Sequence, residues 1–542
     1  MSIPVIVLLV YGLALVGICW FGYRRGKMTE EDYYLAGRGQ GVVVTTLTIM
    51  ATFFSSAALL GIPGLIYKDG LGFLPFALNL PLSGAAIYLL GSRISRIGRR
   101  RGYVTPGDMV ADYYGGSSTI RILVALIGFL YVLPYIVMQI KAGGYLAQRM
   151  FPDAGTLHFL GSPYSMFDVG ITVLSLITML YVLVGGMRSV AWSDVLQGVL
   201  LLTGMLLAGI ATVCAMGGIG SFFRQVSDLP PEALTIPGPS GKWTPWKLLT
   251  ICLFASLATM IQPGQWMRYY AARSTNTLRK SAVIFSTVLP FCFLFGVMLV
   301  GIGGRVLYPP AVTDAGIMPH EMVGSKTSEV DQVVIVMVQE HLPALLGPLG
   351  VVVVSIILVA ILAASMSTAD SNLHALSAVL TRDVYDRFIR PEASEQERAW
   401  VGRSVIVVVT LLALWLVKVG ASNPSFKPLE LIATLSFVAM AFSCQLLPAT
   451  LDMLFIGRSS RAGAVAGMTS GIFIVLLFTP FSALFGESMG ASIDELTGTL
   501  KNLFDIGFCG FVVNASVMVV VSRYSKPVDV ERAEAFRRDM QA

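Results

Sequence analysis

Thirteen stretches of about twenty apolar residues follow one another along this chain, at roughly 2–22, 43–67, 72–92, 121–148, 165–185, 191–214, 246–267, 281–304, 345–381, 401–420, 429–456, 463–484 and 502–522. A helix needs about 20 such residues to cross the hydrocarbon core of a bilayer. Lipid offers no hydrogen-bond partners, so only helices and closed barrels satisfy a spanning backbone, and runs this long and this apolar are helices. Composition agrees: 55% of the 542 residues are hydrophobic and 13% are charged, with a mean hydropathy of +0.74. A soluble domain carries roughly a quarter charged residues, and this chain has too few to cover itself in water. A soluble enzyme, a disordered protein and a nucleic-acid binder are excluded as the main reading. The net charge of +6 is mild and gives no reason to expect nucleic acid as a partner.

The first stretch is followed, not preceded, by Arg24, Arg25 and Lys27, so it reads as a spanning helix rather than a secretory signal. With the N-terminus outside, alternate loops become cytoplasmic and collect most of the Lys and Arg, among them Arg93, Arg96, Arg121, Arg268, Arg279, Arg382 and Arg537. An odd number of spans then puts the C-terminus in the cytoplasm, as expected for a multi-pass protein of a bacterial inner membrane. Two outer segments are long, about 215–245 and 305–344, and Ser328 to His341 has the spacing of a short surface helix. The six cysteines stand singly in or beside apolar runs, which gives no support to zinc, haem or a disulfide framework. No HExxH, GxSxG or P-loop pattern occurs, so the chain does not read as an enzyme.

Polar residues inside spans are costly and therefore informative. In the ninth span Ser367, Asp370, Ser371 and His374 recur at helical spacing on one face, with Thr368 beside them. Hydroxyls, a carboxylate and spare carbonyl lone pairs are what a small hard cation requires. Asp194 opens the sixth span; facing the ninth, it would share one cation with Asp370. The second span holds Thr52-Phe53-Phe54-Ser55-Ser56 and then Gly61-Ile62-Pro63-Gly64, and the seventh holds Gln262-Pro263-Gly264-Gln265-Trp266. Two interrupted helices five spans apart point to a transporter built from inverted repeats. In the fourth span Lys141 either snorkels to the outer interface or meets an anionic substrate group, and Gln139 faces another side of the same helix.

At these residues the chain resembles the solute:sodium symporter family, which includes sodium-coupled glucose, proline, pantothenate, sialate and monocarboxylate transporters. The resemblance covers nearly the whole chain. It is carried by Glu31-Asp32-Tyr33-Tyr34-Leu35-Ala36-Gly37-Arg38, Gly61-Ile62-Pro63-Gly64, Gly185-Gly186-Met187 with Trp192 to Gln197, Gln262-Pro263, and Ser367-Thr368-Ala369-Asp370-Ser371 with Asp383-Val384-Tyr385. It implies an all-α polytopic fold with a LeuT-type core of five plus five helices in inverted repeat. The first helix and loop would occupy 1–42, the repeats 43–214 and 246–456, and the C-terminal helices and tail 457–542. It implies sodium as coupling ion, held by the carbonyls of Ala51, Phe54 and Ala364 and the hydroxyls of Ser367 and Thr368. A second sodium site found in some members would map to Asp194, Ser367, Asp370 and Ser371, with Asp370 standing where some relatives have serine. The proline carrier's acid in the second span has no counterpart here, because Phe53 takes that place; this argues against simply importing proline.

The expected function is sodium-coupled symport of a small organic solute by alternating access. The solute cavity is expected among Phe53, Ser55, Ser56, Gln139, Lys141, Gln262 and Trp266, and Lys141 tilts the substrate toward a carboxylate such as a monocarboxylate or pantothenate. A proton-coupled carrier using Asp194, Asp370 and His374, a sugar or amino-acid substrate, and a solute sensor are the alternatives. The absence of a signalling domain counts against the sensor. Oligomeric state is unreadable, since lipid-facing and partner-facing surfaces are both apolar.

Overall fold

The computed structural model describes residues 2–26, 29–152, 155–159, 162–313, 316–422, 432–479 and 487–541, and they are almost wholly helical. The elements used below are α1 (Ile3–Arg25), α2 (Val42–Phe53), α3 (Ile62–Asp69), α4 (Ser92–Arg101), α5 (Ser118–Met150), α6 (Met166–Ala215), α7 (Pro245–Ile261), α8 (Pro263–Ala271), α9 (Thr275–Cys292), α10 (Pro348–Val379), α11 (Glu395–Ser422), α12 (Ile432–Ser443), α13 (Arg461–Phe478), α14 (Ile506–Arg523) and α15 (Val530–Gln541). Two short antiparallel hairpins, Leu157–Phe159 with Ser162–Tyr164 and Ala311–Thr313 with Gly316–Met318, decorate connections.

Among the described residues ten helices are long and apolar enough to cross a bilayer, or eleven if the bent pair α7–α8 is one span. The expectation of thirteen separate spans differs for two reasons. Helix α2 is too short to count alone, and the fifth and sixth stretches run together as the 50-residue α6. Unbroken, 50 residues at 1.5 Å each would run about 75 Å, more than twice the hydrocarbon thickness, and α6 is instead two helices joined at a kink. Its break is Gly186, at φ 57 and ψ −172, a conformation that a residue with a Cβ rarely adopts.

The second span is interrupted at the stretch Thr52 to Ser56, and not at Gly61-Ile62-Pro63-Gly64, which lies inside the restarted helix. Helix α2 ends at Phe53, and Phe54 is extended at φ −88 and ψ 105. Ser55 restarts the helix: its hydroxyl accepts from the Ala57 N–H at 3.1 Å and its carbonyl accepts from the Ala58 N–H at 3.0 Å. A π-turn over Ala57–Gly61 then leads into α3. Gly61 and Gly64 are small because of their neighbours: a Cβ would lie 2.9 Å from the Ala433 nitrogen or from the Val330 carbonyl oxygen, respectively. The seventh span bends by 55° between α7 and α8. Pro263 cannot donate to the ladder there, and Gln262 turns its side chain to accept from the Gly264 N–H at 2.5 Å.

Helix α10 runs through the middle of the bundle, and every residue from Ala363 to Val379 is buried. It packs against α5, α6 and α2. The segment expected to form a surface helix is instead a 3-10 turn, Thr327–Gln332, followed by a helix, Val333–Leu346, whose residues Val333 to Val338 are buried. Apolar residues around that whole turn explain the difference, since no polar face remains for water.

The end of the bundle that carries the basic loops is closed by ion pairs. Arg121 donates to Asp108 at 2.8 Å and to Asp383 at 2.6 Å, and Arg382 pairs with Glu30 at 2.7 Å. Arg121, counted as a loop charge from the sequence, is thus buried between two helix ends and the start of α5.

Candidate functional site

Ending α2 at Phe53 releases its last carbonyls from the helical ladder, Ala51 among them. The hydroxyls of the central helix meet that released oxygen. Ser367 Oγ donates to the Ala51 carbonyl at 3.0 Å and to the Ala364 carbonyl at 3.1 Å, and Thr368 Oγ1 donates to the Ala51 carbonyl at 3.1 Å. Ala51, Ala364, Ser367 and Thr368 are all fully buried. Phe54 lies at the break itself, three residues beyond Ala51. The donor set is oxygen only and uncharged, which suits a small monovalent cation that sheds its water for carbonyl and hydroxyl oxygens.

One turn further along α10 the chemistry changes. Asp194 of α6 accepts from Arg268 Nη2 at 3.0 Å and from the Thr48 hydroxyl. Arg268 also donates to Ser371 Oγ, to Thr48 Oγ1 at 2.9 Å and to the Gly264 carbonyl at 3.0 Å. Ser371 in turn donates to Asp370 Oδ1 at 3.0 Å, and the Tyr181 hydroxyl donates to Asp370 Oδ2. The side chains of Asp194 and Arg268 are 0% and 1% exposed. Here the sequence reading is corrected: Arg268 is not a cytoplasmic loop charge. It sits on the second half of the broken seventh span and places its guanidinium between the spans that carry Asp194 and Asp370. Two carboxylates against one guanidinium leave one negative charge to be met by a cation or a proton.

Beside the break lies a narrow cavity of about 40 Å³. Phe53, Phe76, Phe293, Phe437 and Met440 supply its apolar wall, and Ser55, Asn79, Tyr135, Thr259 and Ser436 its polar atoms. Among the described residues no charged side chain lines it. That volume holds little more than a water molecule or two, so admitting a solute requires the surrounding helices to part.

Of the residues expected around the solute, Phe53 and Ser55 line this cavity, with the Phe53 ring edge-on to Phe285 at 5.2 Å. Ser56 and Gln139 are joined behind it: the Ser56 N–H and hydroxyl both donate to Gln139 Oε1, at 3.1 and 2.8 Å. Gln262 caps α8, and Trp266 is fully buried with its Nε1–H on the Tyr270 hydroxyl at 2.7 Å. Lys141 lies elsewhere, over the Tyr145 ring at 5.6 Å. Its charge is felt by Asp331 in the 3-10 turn Thr327–Gln332. Burial raises that carboxyl to about 6, with Lys141 and the Ile432 N–H opposing the rise. His374 is held between the rings of Tyr33 and Tyr34, at 5.3 and 5.5 Å.

Residues 33–471 match the model of the sodium:solute symporter family. The chain belongs to that family. It is 28% identical over 483 residues to a sodium/proline symporter of Escherichia coli (strain K12), covering 88% of this chain and 87% of that one. It is also 28% identical to an osmoregulated proline transporter of Bacillus subtilis (strain 168), covering 88% and 89%. In shape it is similar to a Na+-coupled sialic acid symporter solved substrate-bound and outward-open, with a TM-score of 0.72 over 98% of this chain and 99% of that one, at 20% identity. A solved structure of MhsT with L-phenylalanine superposes at a TM-score of 0.52, covering 88% of this chain, at 14% identity. The fold is therefore the LeuT-type architecture of coupled transporters, and this symporter is a multi-pass membrane protein that uses sodium, not an enzyme.

Proposed function

We propose that this symporter carries a small solute with one carboxylate and an apolar body, taking it into the cell with sodium bound at Ala51, Phe54, Ala364, Ser367 and Thr368. One observation carries the reading. The break in the second span presents the released Ala51 carbonyl to Ser367 and Thr368 on one side, and the first turn of the restarted helix to the apolar cavity on the other. A helix N-terminus favours an anionic group, and the Ser56 and Ala57 N–H groups there are held only by a neutral amide and a hydroxyl. The aromatic wall takes the apolar body. The printed names of the relatives support a solute of the proline class, which also bears a carboxylate. Phe53, standing where the proline carrier has an acid, favours a solute with no amine to neutralise.

Coupling follows from shared geometry. The cation ties α10 to α2, the solute ties the restarted helix to the cavity wall, and both favour the same conformer, so each raises the other's affinity. One charge moving down 100 mV supplies about 2.3 kcal/mol, roughly fifty-fold accumulation. The buried pair Asp194 and Asp370 with a single Arg268 favours a second coupling charge. It is met by a second sodium at Asp194, Ser367, Asp370 and Ser371, or by a proton.

The test is uptake by proteoliposomes under an inward sodium gradient, comparing proline, apolar monocarboxylates, pantothenate and a sugar. Sodium-dependent uptake of a carboxylate, absent in potassium, is expected, with monocarboxylate ahead of proline. Uptake of the sugar alone sinks the substrate class. Uptake driven by a proton gradient in sodium-free buffer replaces sodium with the proton.

A further inference from the structure

A second crevice lies at the basic end of the bundle, far from any transported ion or solute. Its volume is about 530 Å³. Arg93 and Arg96 of α4, Arg279 of α9 and Arg537 of α15 line it, together with Tyr88 and Phe455. Among the described residues no acidic side chain lines it, and none of the four arginines makes an ion pair. Each guanidinium is fixed in place by something neutral. Arg93 donates to the Leu454 carbonyl at 2.5 Å and lies 4.0 Å over the Phe455 ring. Arg96 donates to the Met540 carbonyl at 2.6 Å, and Arg537 to the Ile456 carbonyl at 3.0 Å. Arg279 lies 5.3 Å over the Tyr88 ring. A guanidinium has five N–H donors, so most of the donors in this crevice are unspent. Four like charges brought together by three different helices repel one another unless an anion sits among them.

The rim of the crevice identifies the anion. Tyr88 and Phe455 are each 43% exposed, and Leu89 and Ile456 beside them are more than half exposed. Arg93 and Arg96 follow Leu89 by one and two helical turns on the same continuous helix. Apolar side chains facing lipid, followed immediately by unpaired arginines, mark the depth at which hydrocarbon gives way to headgroups. We propose that this crevice seats the phosphate of an acidic phospholipid among Arg93, Arg96, Arg279 and Arg537, with the acyl chains lying along Leu89 and Ile456. Arginine forks suit phosphate oxygens, and the apolar rim selects a lipid phosphate over a free one. The bound lipid cross-links α4, α9 and the C-terminal α15, whose Phe536 is fully buried against the bundle.

The test uses the full chain purified in detergent, with native mass spectrometry counting bound lipid and a thermal melt reading its effect. Phosphatidylglycerol is expected to stay bound and to raise the melting temperature, and phosphatidylcholine is not. Arg279→Gln and Arg96→Gln are each expected to lower phosphatidylglycerol occupancy about fivefold, with Arg279→Lys retaining most of it. Arg279 makes no hydrogen bond in the structure, so its variant folds, and an unchanged sodium-induced melting shift confirms that. Equal retention of the two lipids, or full occupancy in both glutamine variants, overturns the proposal. So does a shift of the same size from millimolar inorganic phosphate or glycerol phosphate, which makes the crevice a site for a soluble anion.

Discussion

Two clusters lie one turn apart on α10 and solve the problem of buried polarity in opposite ways. At Ala51, Ala364, Ser367 and Thr368 every group is neutral, and the hydroxyls satisfy the carbonyls without help. At Asp194, Asp370, Ser371 and Arg268 two carboxyl groups are buried beside one guanidinium, which bonds Asp194 and Ser371 directly. The neutral cluster therefore needs no ion to satisfy its hydrogen bonds, and under the proposed function it is the one that answers to sodium. The charged cluster is part of the fold first. Desolvation makes the difference: a buried charge without a partner costs several kcal/mol, whereas an idle buried hydroxyl that keeps a hydrogen bond costs almost nothing.

The largest expected effect is therefore on the charged side. Asp194→Asn removes the only carboxylate that Arg268 bonds directly among the described residues and is expected to cost about 3–5 kcal/mol, read as a fall in melting temperature of the purified protein and in its yield. Adding Arg268→Met should restore much of the stability while transport stays lost. A single variant as stable as the native chain would mean that Arg268 is neutralised by something other than Asp194, and the contrast between the clusters would dissolve.

On the neutral side the same logic predicts function lost without fold. Ser367→Ala and Thr368→Val should each change stability in potassium by less than about 1 kcal/mol. Each should raise the sodium concentration for half-maximal uptake about tenfold, as expected for removing one oxygen ligand. A sodium titration of uptake measures this directly. If neither variant moves that midpoint, the cation does not sit at these hydroxyls.

A smaller change separates the two readings of the spare negative charge. Asp370→Ser removes one carboxylate and leaves Asp194 and Arg268 balanced. Uptake should survive, with its sodium dependence less steep and its Hill coefficient nearer one. If the steepness is unchanged but the pH profile of uptake alters, the charge taken up there is a proton.

The neutral cluster was legible through the family resemblance and the charged one only in half. Thr52 to Ser56 mark the stretch where the second span breaks, whereas Gly61, Pro63 and Gly64 lie within the restarted helix; the polar residues Ser367 and Thr368 stand out in an apolar span, but Ala51 and Ala364 carry no local signal. Asp194 and Asp370 were visible as acids in apolar runs. Their partner was not. Arg268 lies just beyond a break, where the rule that assigns basic residues to cytoplasmic loops claims it, and nothing local says that α8 turns by 55° to carry it inward. Tyr181 was missed for a different reason, since a tyrosine in a spanning helix reads as apolar until its hydroxyl is seen on Asp370. The cavity beside the break was the least legible. Ser56 and Gln139 bond each other across two helices, Gln262 caps α8, and Trp266 bonds Tyr270 one turn along the same helix. Much of the cavity wall comes from distant residues such as Asn79 and Ser436, whose convergence depends on packing rather than on any local pattern.

The smallest effect is the one that isolates burial as the cause. Arg390 and Glu397 form an ion pair at 3.0 Å, the same separation as Arg268 and Asp194. Arg390 is 65% exposed where Arg268 is 1% exposed. In water the pair gains little Coulomb energy, is screened by salt and must hold two long side chains still, so exposed pairs contribute up to about 1 kcal/mol. Arg390→Gln is therefore expected to leave the melting temperature nearly unchanged and the sodium dependence of uptake untouched, and the little it costs should vanish at high salt. Tyr385 still donates to Glu397 at 2.6 Å, so the carboxylate keeps a partner. Should this variant destabilise the protein as much as Asp194→Asn does, distance rather than desolvation would govern these pairs, and the charged cluster would lose its claim to be a structural element.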